Sequence, residues 1–320
     1  MSVLPHHAVS PPPRDHGGGL DAAILRWGGT RADWLDLSTG INPVPYPVPD
    51  LPDWAWEALP DTGAQSALIE AARSFWNVPD KAAILAAPGA SALIARIPHL
   101  VPAGIVDIPS PTYNEHAASF VAQGWTVSQD TPQARVLVHP NNPTGRFWSA
   151  ADITAPFTII DESFCDIAPD QSLIAQAAQP GCVVLKSFGK FWGLAGMRLG
   201  FAIGDPALIA RLADMTGPWA VSGPALSIGA AALQDHTWAK TCRSRLSQDA
   251  ERLDKLFTAK GARVSGGTSL FRLYEVDAAS EWQEKLAKRH IWTRIFPYSK
   301  TFLRVGLPHP EQWAQLESAL

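Results

Sequence analysis

Two lysines four residues apart stand out in the apolar segment 183–201, VVLKSFGKFWGLAGMRLGF. Lys186 closely follows an apolar run, and Lys190 lies in the glycine-containing stretch after it. An amine among apolar neighbours has a lowered pKa and becomes nucleophilic enough to attack a carbonyl carbon. Ser187 and Arg198 add a hydroxyl and a guanidinium, which are good partners for a phosphate. One lysine could therefore be a covalent catalyst, but a buried strand with solvated charges at its end would give the same pattern.

Other potential ligand-binding residues closely follow short apolar runs elsewhere in the chain. They are Gly89, Ala90 and Ser91 after AAILAA, Tyr113 after GIVDIP, Asn142 within HPNNPTG, and Asp161 after FTII. Small residues at a helix start suit a phosphate, an aromatic ring can stack on a planar cofactor, and a rigid turn can hold an amide in place. A carboxylate at the end of a buried strand needs a cation, and a protonated pyridine nitrogen would serve. Each residue alone also fits a structural role, such as a helix cap, a core tyrosine or a salt bridge.

Two arginines near the end of the printed sequence extend this set. Arg304 lies in FLRVGL, which we predict to be the last strand, and Arg294 lies ten residues earlier in IWTRIF. Buried arginines in strands bind an anion, either a carboxylate of the protein or a ligand. Taken together and in this order, the candidates are the parts needed to hold pyridoxal phosphate and an amino acid.

The elements that would position these residues alternate along the first two thirds of the chain. Short apolar runs alternate with segments of helical periodicity, which is typical of a mostly parallel sheet covered by helices on both faces. In such sheets ligands bind beyond the carboxyl ends of the strands, where the candidate residues lie. We therefore expect an α/β fold with a large domain (36–220) and a small α+β C-terminal domain (221–320). An N-terminal segment (1–35), irregular over residues 1–19, should pack on the active site or the small domain.

The composition limits the classes of function. The chain has 320 residues, 46% of them hydrophobic, and a net charge of −4, so it can bury a large core and offers no basic surface for nucleic acid. Its three cysteines show no CxxC spacing, which argues against a disulfide framework and against a zinc site. The first residues lack a signal-peptide pattern, and no apolar run approaches the roughly 20 residues of a membrane span. We expect a cytoplasmic protein that needs no metal and has no membrane partner.

The motifs HPNNPTG, DESF, SFGKFWGLAGMRLG and FLRVGL, in that order, resemble those of fold-type I pyridoxal-phosphate enzymes, in the histidinol-phosphate aminotransferase-like branch. The resemblance covers residues 36–304 and implies the fold-type I transferase fold, pyridoxal 5'-phosphate as cofactor and a homodimer. In that family the lysine that binds the cofactor follows a serine by three residues and precedes the phosphate-binding arginine by eight. This spacing selects Lys190, with Ser187 and Arg198, and rejects Lys186, which becomes a structural or solvated residue at a strand end.

The resemblance also implies roles for the remaining candidates. Asn142 would contact the cofactor's ring hydroxyl, Asp161 its ring nitrogen and Tyr113 its ring face. The Gly89–Ser91 turn would contact the cofactor's phosphate, and Arg304 would contact the substrate carboxylate. Two departures weaken individual contacts. Phe164 stands where the family commonly has a tyrosine, which removes one hydrogen bond to the ring hydroxyl. Leu59 replaces a tyrosine that reaches the neighbouring subunit's cofactor phosphate.

The N-terminal segments HGGGLDAAILRWGG and WLDLSTGINPVPYPVP resemble the threonine-phosphate decarboxylases within this branch. The resemblance implies an amino acid phosphate as substrate and loss of its carboxylate as carbon dioxide. His16 and Gly17 would then close over the site, Asn42 would touch the substrate, and Arg294 is the candidate for its phosphate. A histidinol-phosphate or aromatic amino acid aminotransferase would use the same core residues, and a non-catalytic protein on this fold is a further alternative.

Overall fold

The computed structural model describes residues 14–320, and its largest unit is a seven-stranded sheet. The strands along the chain are β1 (Leu35–Asp36), β2 (Ala83–Ala87), β3 (Ile105–Asp107), β4 (Thr126–Val127), β5 (Ala134–Val138), β6 (Phe157–Asp161), β7 (Cys182–Ser187), β8 (Gly200–Gly204), β9 (Arg263–Thr268), β10 (Phe271–Glu275), β11 (Ile291–Trp292), β12 (Arg294–Phe296) and β13 (Ser299–Gly306). The sheet has the order β2-β8-β7-β6-β5-β3-β4. Neighbouring strands from β7 to β4 pair in parallel, and β8 is antiparallel to both of its neighbours. The prediction of a mostly parallel sheet is confirmed.

Helices flank the sheet and connect its strands. The α-helices are α1 (Leu20–Trp27), α2 (Trp54–Glu57), α3 (Thr62–Phe75), α4 (Ala90–Ile94), α5 (Asn114–Ala122), α6 (Pro206–Thr216), α7 (Gly223–Gln234), α8 (His236–Thr258), α9 (Ala279–Ala287) and α10 (Trp313–Ala319). Of the helices within residues 14–320, none has both the length and the apolar character that a bilayer span requires.

The strand β7 shows why the sheet is covered on both faces. Val183 and Leu185 belong to one hydrophobic core, whereas Val184 belongs to another. Successive side chains of a strand point to opposite faces, so an uninterrupted apolar run needs a core on each side. The covered faces leave the carboxyl ends of the parallel strands as the place where polar side chains can meet.

The C-terminal part has the predicted α+β character. Strands β9, β10, β12 and β13 form an antiparallel sheet in the order β12-β13-β10-β9, and β1 pairs in parallel with β11. Residues near the N-terminus therefore contact this part of the chain, while residues 1–13 of the expected N-terminal segment lie outside the described residues. Helix α7 follows the expected boundary at residue 220, yet it packs against α3 and α2, which precede that boundary. The boundary therefore remains a prediction.

Lys186 is a structural residue, but the expectation that it could be solvated is wrong. Its amine lies 2.5 Å from Glu162 Oε2 and 3.7 Å from Asp166 Oδ1, and its side chain is only 2% exposed. Burial alone would lower the pKa of Lys186, but the two carboxylates outweigh it and raise the pKa above its ordinary value. The buried ion cluster ties β7 to the segment after β6 and keeps this amine protonated.

Substitution of Lys186 by alanine should destabilise the protein by about 3–5 kcal/mol, because it leaves the buried Glu162 carboxylate without its cation. Chemical denaturation would measure the loss. The matched control is Lys81→Ala at an exposed lysine, which should change stability by less than about 0.5 kcal/mol. A Lys186→Ala protein as stable as the control would show that the cluster does not stabilise the fold.

Candidate active site

Two adjoining cavities lie at the carboxyl ends of the parallel strands, and both are lined by Lys190, Tyr113, Asn142 and Phe164. The inner cavity, of about 120 Å³, is completed by residues that include Ala90, Ser91, Asp161, Ser187 and Arg198. The outer cavity, of about 300 Å³, is completed by residues that include Asp15, His16, Gly17, Tyr298 and Arg304. The structure thus brings together most of the residues selected from the sequence, around one lysine.

A larger cavity of about 410 Å³ lies elsewhere, between α3, the β2 strand and the residues after α6. Leu85, Trp219 and Leu226 are among the residues that line it, and none of its described lining residues is ionisable. It is larger than either cavity at Lys190, but proton transfer and anion binding need charged groups, which its described lining lacks. The two cavities at Lys190 are therefore the candidate active site.

Lys190 lies in the turn that follows β7, and its environment disfavours a positive charge. Burial, together with the nearby guanidiniums of Arg304 and Arg198, lowers the pKa of Lys190 to about 8, and the Asp161 carboxylate opposes this only in part. The ring of Phe164 lies 5.2 Å from the amine and adds an apolar wall. Lys190 therefore holds a neutral, nucleophilic amine at a pH where an ordinary lysine is almost fully protonated.

Asp161 ends β6 and is 2% exposed. Its Oδ2 lies 2.8 Å from His116 Nε2, and its Oδ1 accepts hydrogen bonds from the hydroxyl and the amide of Ser163. Burial pushes the pKa of Asp161 upwards, but these hydrogen bonds outweigh it and the pKa lies below its ordinary value. The site thus contains a buried ionised carboxylate, as its expected role as the partner of a ring nitrogen requires.

The sequence analysis did not select His116 or Ser163. His116 lies three residues after Tyr113, at the beginning of α5. This spacing of about one helical turn places it on the same side of the helix as Tyr113. Ser163 lies two residues after Asp161 and bonds back to it as in an Asx-type turn. Both signals are local, so spacing from the selected residues could have identified them.

The expected phosphate-binding residues lie at one end of the inner cavity. Gly89 has a φ of +87° and leads into α4, and a side chain there would collide with the Arg198 guanidinium. Arg198 itself has a φ of +56°, and its Nη1 donates to Ala195 O at 2.9 Å. Ser91 and Ser187 line the same cavity. A glycine thus lets the backbone approach a guanidinium closely, next to two hydroxyls.

Arg304 lies on β13 and is 5% exposed. Its Nη2 donates to Ser38 O at 2.6 Å and its Nη1 donates to Asn142 Oδ1, while Nε is buried without a partner among the described residues. Burial lowers the pKa of Arg304 to about 10, and the Arg294 guanidinium adds to this effect. A buried cation beside a cavity, with an unpaired donor, is an anion-binding arrangement.

The other expected substrate residues differ in whether they line the cavities. His16 and Gly17 line the outer cavity, and a side chain at Gly17 would lie 2.5 Å from Ser38 O. Arg294 lies opposite Arg304 on β12, where it forms an ion pair with Asp15. Asn42 lies outside both linings: its amide donates to Phe191 O at 2.8 Å and to Cys242 Sγ at 3.1 Å. The structure does not bring Asn42 to the cavities.

A separate group of potential metal ligands is formed by His139, Glu162 and Cys165, all buried. Both ring nitrogens of His139 are engaged, since Nε2 lies 2.7 Å from Gln171 O and Nδ1 accepts from the Trp148 amide. Glu162 is bound to Lys186. These donor atoms are committed to bonds within the protein.

Comparisons with known proteins agree with this geometry. Residues 128–320 match the model of the aminotransferase class I and II family. A threonine-phosphate decarboxylase from Sinorhizobium sp is 41% identical, over 91% of this chain and 92% of the relative. A second, from Pseudomonas aeruginosa, is 37% identical over 96% of this chain and 97% of the relative.

Solved structures agree on the fold. Histidinol-phosphate aminotransferase from Sinorhizobium meliloti, in complex with pyridoxal-5'-phosphate, superposes with a TM-score of 0.82 at 17% identity, covering 100% of this chain and 98% of the other. L-threonine-O-3-phosphate decarboxylase from Porphyromonas gingivalis superposes with a TM-score of 0.70 at 18% identity, covering 83% and 93%. The chain therefore belongs to the aminotransferase class I and II family and, within it, to the family of the threonine-phosphate decarboxylases.

Proposed function

We propose that the chain is a pyridoxal-phosphate-dependent decarboxylase that converts L-threonine O-3-phosphate into (R)-1-amino-2-propanol O-2-phosphate and carbon dioxide. The proposal rests on the two decarboxylase relatives and on one feature of the site. Arg294 and Arg304 are register partners on adjacent strands, and Arg304 lines the outer cavity together with Lys190. An amino acid phosphate has two anionic groups, and this pair of guanidiniums offers one cation for each.

The residues of the inner cavity fit pyridoxal phosphate. The Lys190 amine would attach the cofactor, the ionised Asp161 would pair with its protonated ring nitrogen, and Tyr113 would lie against its ring. Asn142 would bond the ring hydroxyl through its amide nitrogen, since its Oδ1 accepts from Arg304. The phosphate would lie among the Gly89–Ser91 turn, Ser187 and Arg198, where a larger residue than glycine would fill the space.

The bound cofactor supplies an electron sink for the electron pair released when a bond to the substrate's α-carbon breaks. Asp161 is held ionised by His116 and Ser163, which keeps a positive charge on the ring nitrogen favourable. Arg304 would hold the substrate carboxylate and Arg294 its phosphate, and two anchors fix the torsion about the α-carbon. The Lys190 Nζ, with a pKa of about 8, can carry the proton that the α-carbon receives after carbon dioxide leaves.

The choice between decarboxylation and transamination depends on which α-carbon bond lies perpendicular to the cofactor ring. Binding energy from the phosphate and the carboxylate can be used to fix that orientation. An aminotransferase would direct the Cα–H bond there, whereas a decarboxylase directs the bond to the carboxylate. The decarboxylase relatives favour the second arrangement over the aminotransferase alternative.

The cellular setting is part of the same proposal. The product would serve the nucleotide loop of cobalamin, and the enzyme would act in the cytoplasm as a homodimer. Exposed apolar side chains support a dimer: Trp54 is 52% exposed, Trp56 70%, Leu59 67% and Trp219 54%. Apolar residues of this size are commonly covered by a partner. Leu59 has no hydroxyl, so it would contribute packing rather than a bond to a neighbouring cofactor phosphate.

The function is tested by supplying L-threonine O-3-phosphate to the enzyme loaded with pyridoxal phosphate, in the absence of any oxo-acid. Carbon dioxide and aminopropanol phosphate should appear in equal amounts, and added 2-oxoglutarate should not raise the rate. Turnover that requires 2-oxoglutarate would instead identify an aminotransferase. Absence of a protein-bound visible absorbance band, after addition of pyridoxal phosphate and removal of the free cofactor, would favour a non-catalytic protein.

Substitution of Lys190 by alanine should lower the decarboxylation rate by about 10³-fold or more, because it removes both the attachment point and the proton carrier. Borohydride reduction and mass spectrometry of the wild type should locate the cofactor on Lys190. Lys81→Ala, at an exposed lysine, is the matched control and should retain full activity. Cofactor trapped on Lys186, or a fully active Lys190→Ala enzyme, would contradict the assignment.

The rate at which the apoenzyme takes up pyridoxal phosphate should rise with pH. The midpoint of this pH profile should lie at about 8, the pKa of Lys190. Only the neutral amine attacks a carbonyl, and at pH 8 roughly half of this amine is neutral, against well under 1% of an ordinary lysine. An Nα-acetyl-lysine amide control corrects for titration of the cofactor itself. Arg304→Gln should move the midpoint upwards, because it removes a neighbouring positive charge. A rate that still climbs through pH 10 would show that Lys190 has an ordinary pKa.

A further inference from the structure

Residues 14–18, here called the N-terminal strap, contribute Asp15, His16 and Gly17 to the lining of the outer cavity. On one side the strap contacts the beginning of α5. The backbone carbonyl of Asp15 accepts from Asn114 Nδ2 at 2.8 Å, and His16 Nε2 lies 2.9 Å from Glu115 Oε1. The strap is therefore held against the large sheet's side of the cavity.

On the other side the strap bonds to Ser38 and Trp292 through Gly18, and to Arg294 through Asp15 and His16. Arg294 Nη1 and Nη2 each donate to one oxygen of the Asp15 carboxylate at 2.6 Å, and Nη1 also donates to His16 O at 2.6 Å. This is a bidentate arrangement, the strongest form of an ion pair between these two groups. The Arg294 side chain is 13% exposed and the Asp15 side chain 45% exposed, and Asp15 lines the cavity. Asp15 thus lines the outer cavity, whereas Arg294, to which it is bound, does not belong to the described lining.

Because Asp15 pairs with Arg294, the guanidiniums of Arg294 and Arg304 differ in their partners. Arg304 has a buried Nε without a partner among residues 14–320, whereas Arg294 has a carboxylate across its fork. A phosphate group presents oxygens to a guanidinium in the same bidentate geometry as a carboxylate. Asp15 therefore occupies the position on Arg294 that an incoming phosphate would need.

We infer that Asp15 is an intramolecular substitute for the substrate's phosphate and that it must release Arg294 when the phosphate binds. The inference rests on the proposed function and names a residue that opposes phosphate binding in that site. A free phosphate ion must displace the carboxylate with its own binding energy alone. An amino acid phosphate is also held at Arg304 through its carboxylate, and this second anchor supports the displacement. Asp15 thus lowers the affinity of every ligand that must place a phosphate on Arg294, and an amino acid phosphate offsets this cost through its second anchor.

The displacement has a quantitative consequence. The apparent affinity for a phosphate-containing ligand is its intrinsic affinity reduced by the fraction of molecules in which Arg294 is free. Asp15→Asn raises that fraction, so free phosphate and threonine phosphate should both bind more tightly, by the same factor of about tenfold for a strap that is open about a tenth of the time. Threonine without the phosphate has no group to place on Arg294, so its affinity should stay unchanged.

The experiment uses the enzyme loaded with pyridoxal phosphate, so that the cofactor's own phosphate site is filled. Isothermal titration calorimetry measures the affinity for inorganic phosphate, and steady-state kinetics give KM for threonine phosphate and for threonine. The variants are Asp15→Asn, the conservative Asp15→Glu, and Arg14→Gln as the matched control. Arg14 belongs to the strap and contacts Glu115 without touching Arg294, so its substitution should change phosphate affinity by less than twofold. Asp15→Glu keeps the anion and should remain near the wild type.

An Asp15→Asn enzyme that binds phosphate no more tightly than the wild type would overturn the inference. An equal gain in Arg14→Gln would also overturn it, because loosening of the strap would then be the cause. In an Arg294→Gln background Asp15→Asn should bring no further gain, and a persisting gain would again contradict it. The proposed function fails separately, through absence of carbon dioxide from threonine phosphate with the wild type, whatever the phosphate titrations show.

Discussion

The site depends on an excess of positive charge in a poorly solvated place. Lys190, Arg198 and Arg304 lie around the two cavities, and Asp161 is the buried carboxylate that faces them. Burial of the amine is the largest cause of the lowered pKa of Lys190, the guanidiniums of Arg304 and Arg198 add to it, and the amine therefore loses its proton more readily than an ordinary lysine. The same excess that helps to make this amine neutral makes the remaining cations available to anions. Nucleophilicity and anion binding therefore share an electrostatic cause.

The two lysines of the same segment show how local partners decide the outcome. Lys186 and Lys190 are four residues apart and both are withdrawn from water, yet their pKa values shift in opposite directions. Lys186 has two carboxylates within 4 Å, so its charge is compensated and it contributes to the fold. Lys190 has arginines as its neighbours, so its charge is opposed and the amine becomes reactive. Position along the chain does not distinguish these cases, but the sign of the surrounding charge does.

This contrast explains what the sequence could predict. Asp161, Tyr113 and the Gly89–Ser91 turn follow apolar runs, and parallel strands must bring such residues to one edge, so their convergence follows from local pattern and topology. The motif spacing then selects Lys190 without any knowledge of distances. The carboxylate partners of Lys186 could not be predicted in this way, because which side chains meet inside a core depends on packing between strands.

The same limit applies to substrate residues near the N-terminus. Asn42 lies in a motif that resembles the decarboxylases, but its side chain binds Phe191 O and Cys242, contacts that join segments about 150 and 200 residues apart. The Asp15 to Arg294 pair spans 279 residues and has no local signature. Motifs predicted the residues that parallel strands align, whereas long-range polar pairs required coordinates.

The three arginines of this site differ in the contacts that they make before an anion binds. Arg198 is positioned by a left-handed turn and a glycine, and it would hold the phosphate of a cofactor that stays bound. Arg304 is buried, and its Nε has no partner among residues 14–320, so a substrate carboxylate would find a cation there without displacing another anion. Arg294 is already compensated by Asp15, so binding at that position is an exchange of anions. A ligand that engages Arg304 first brings its phosphate next to Arg294 at high effective concentration, which favours that exchange. In the proposed function, the site would thereby bind the combination of two anions on one small molecule more strongly than either anion alone.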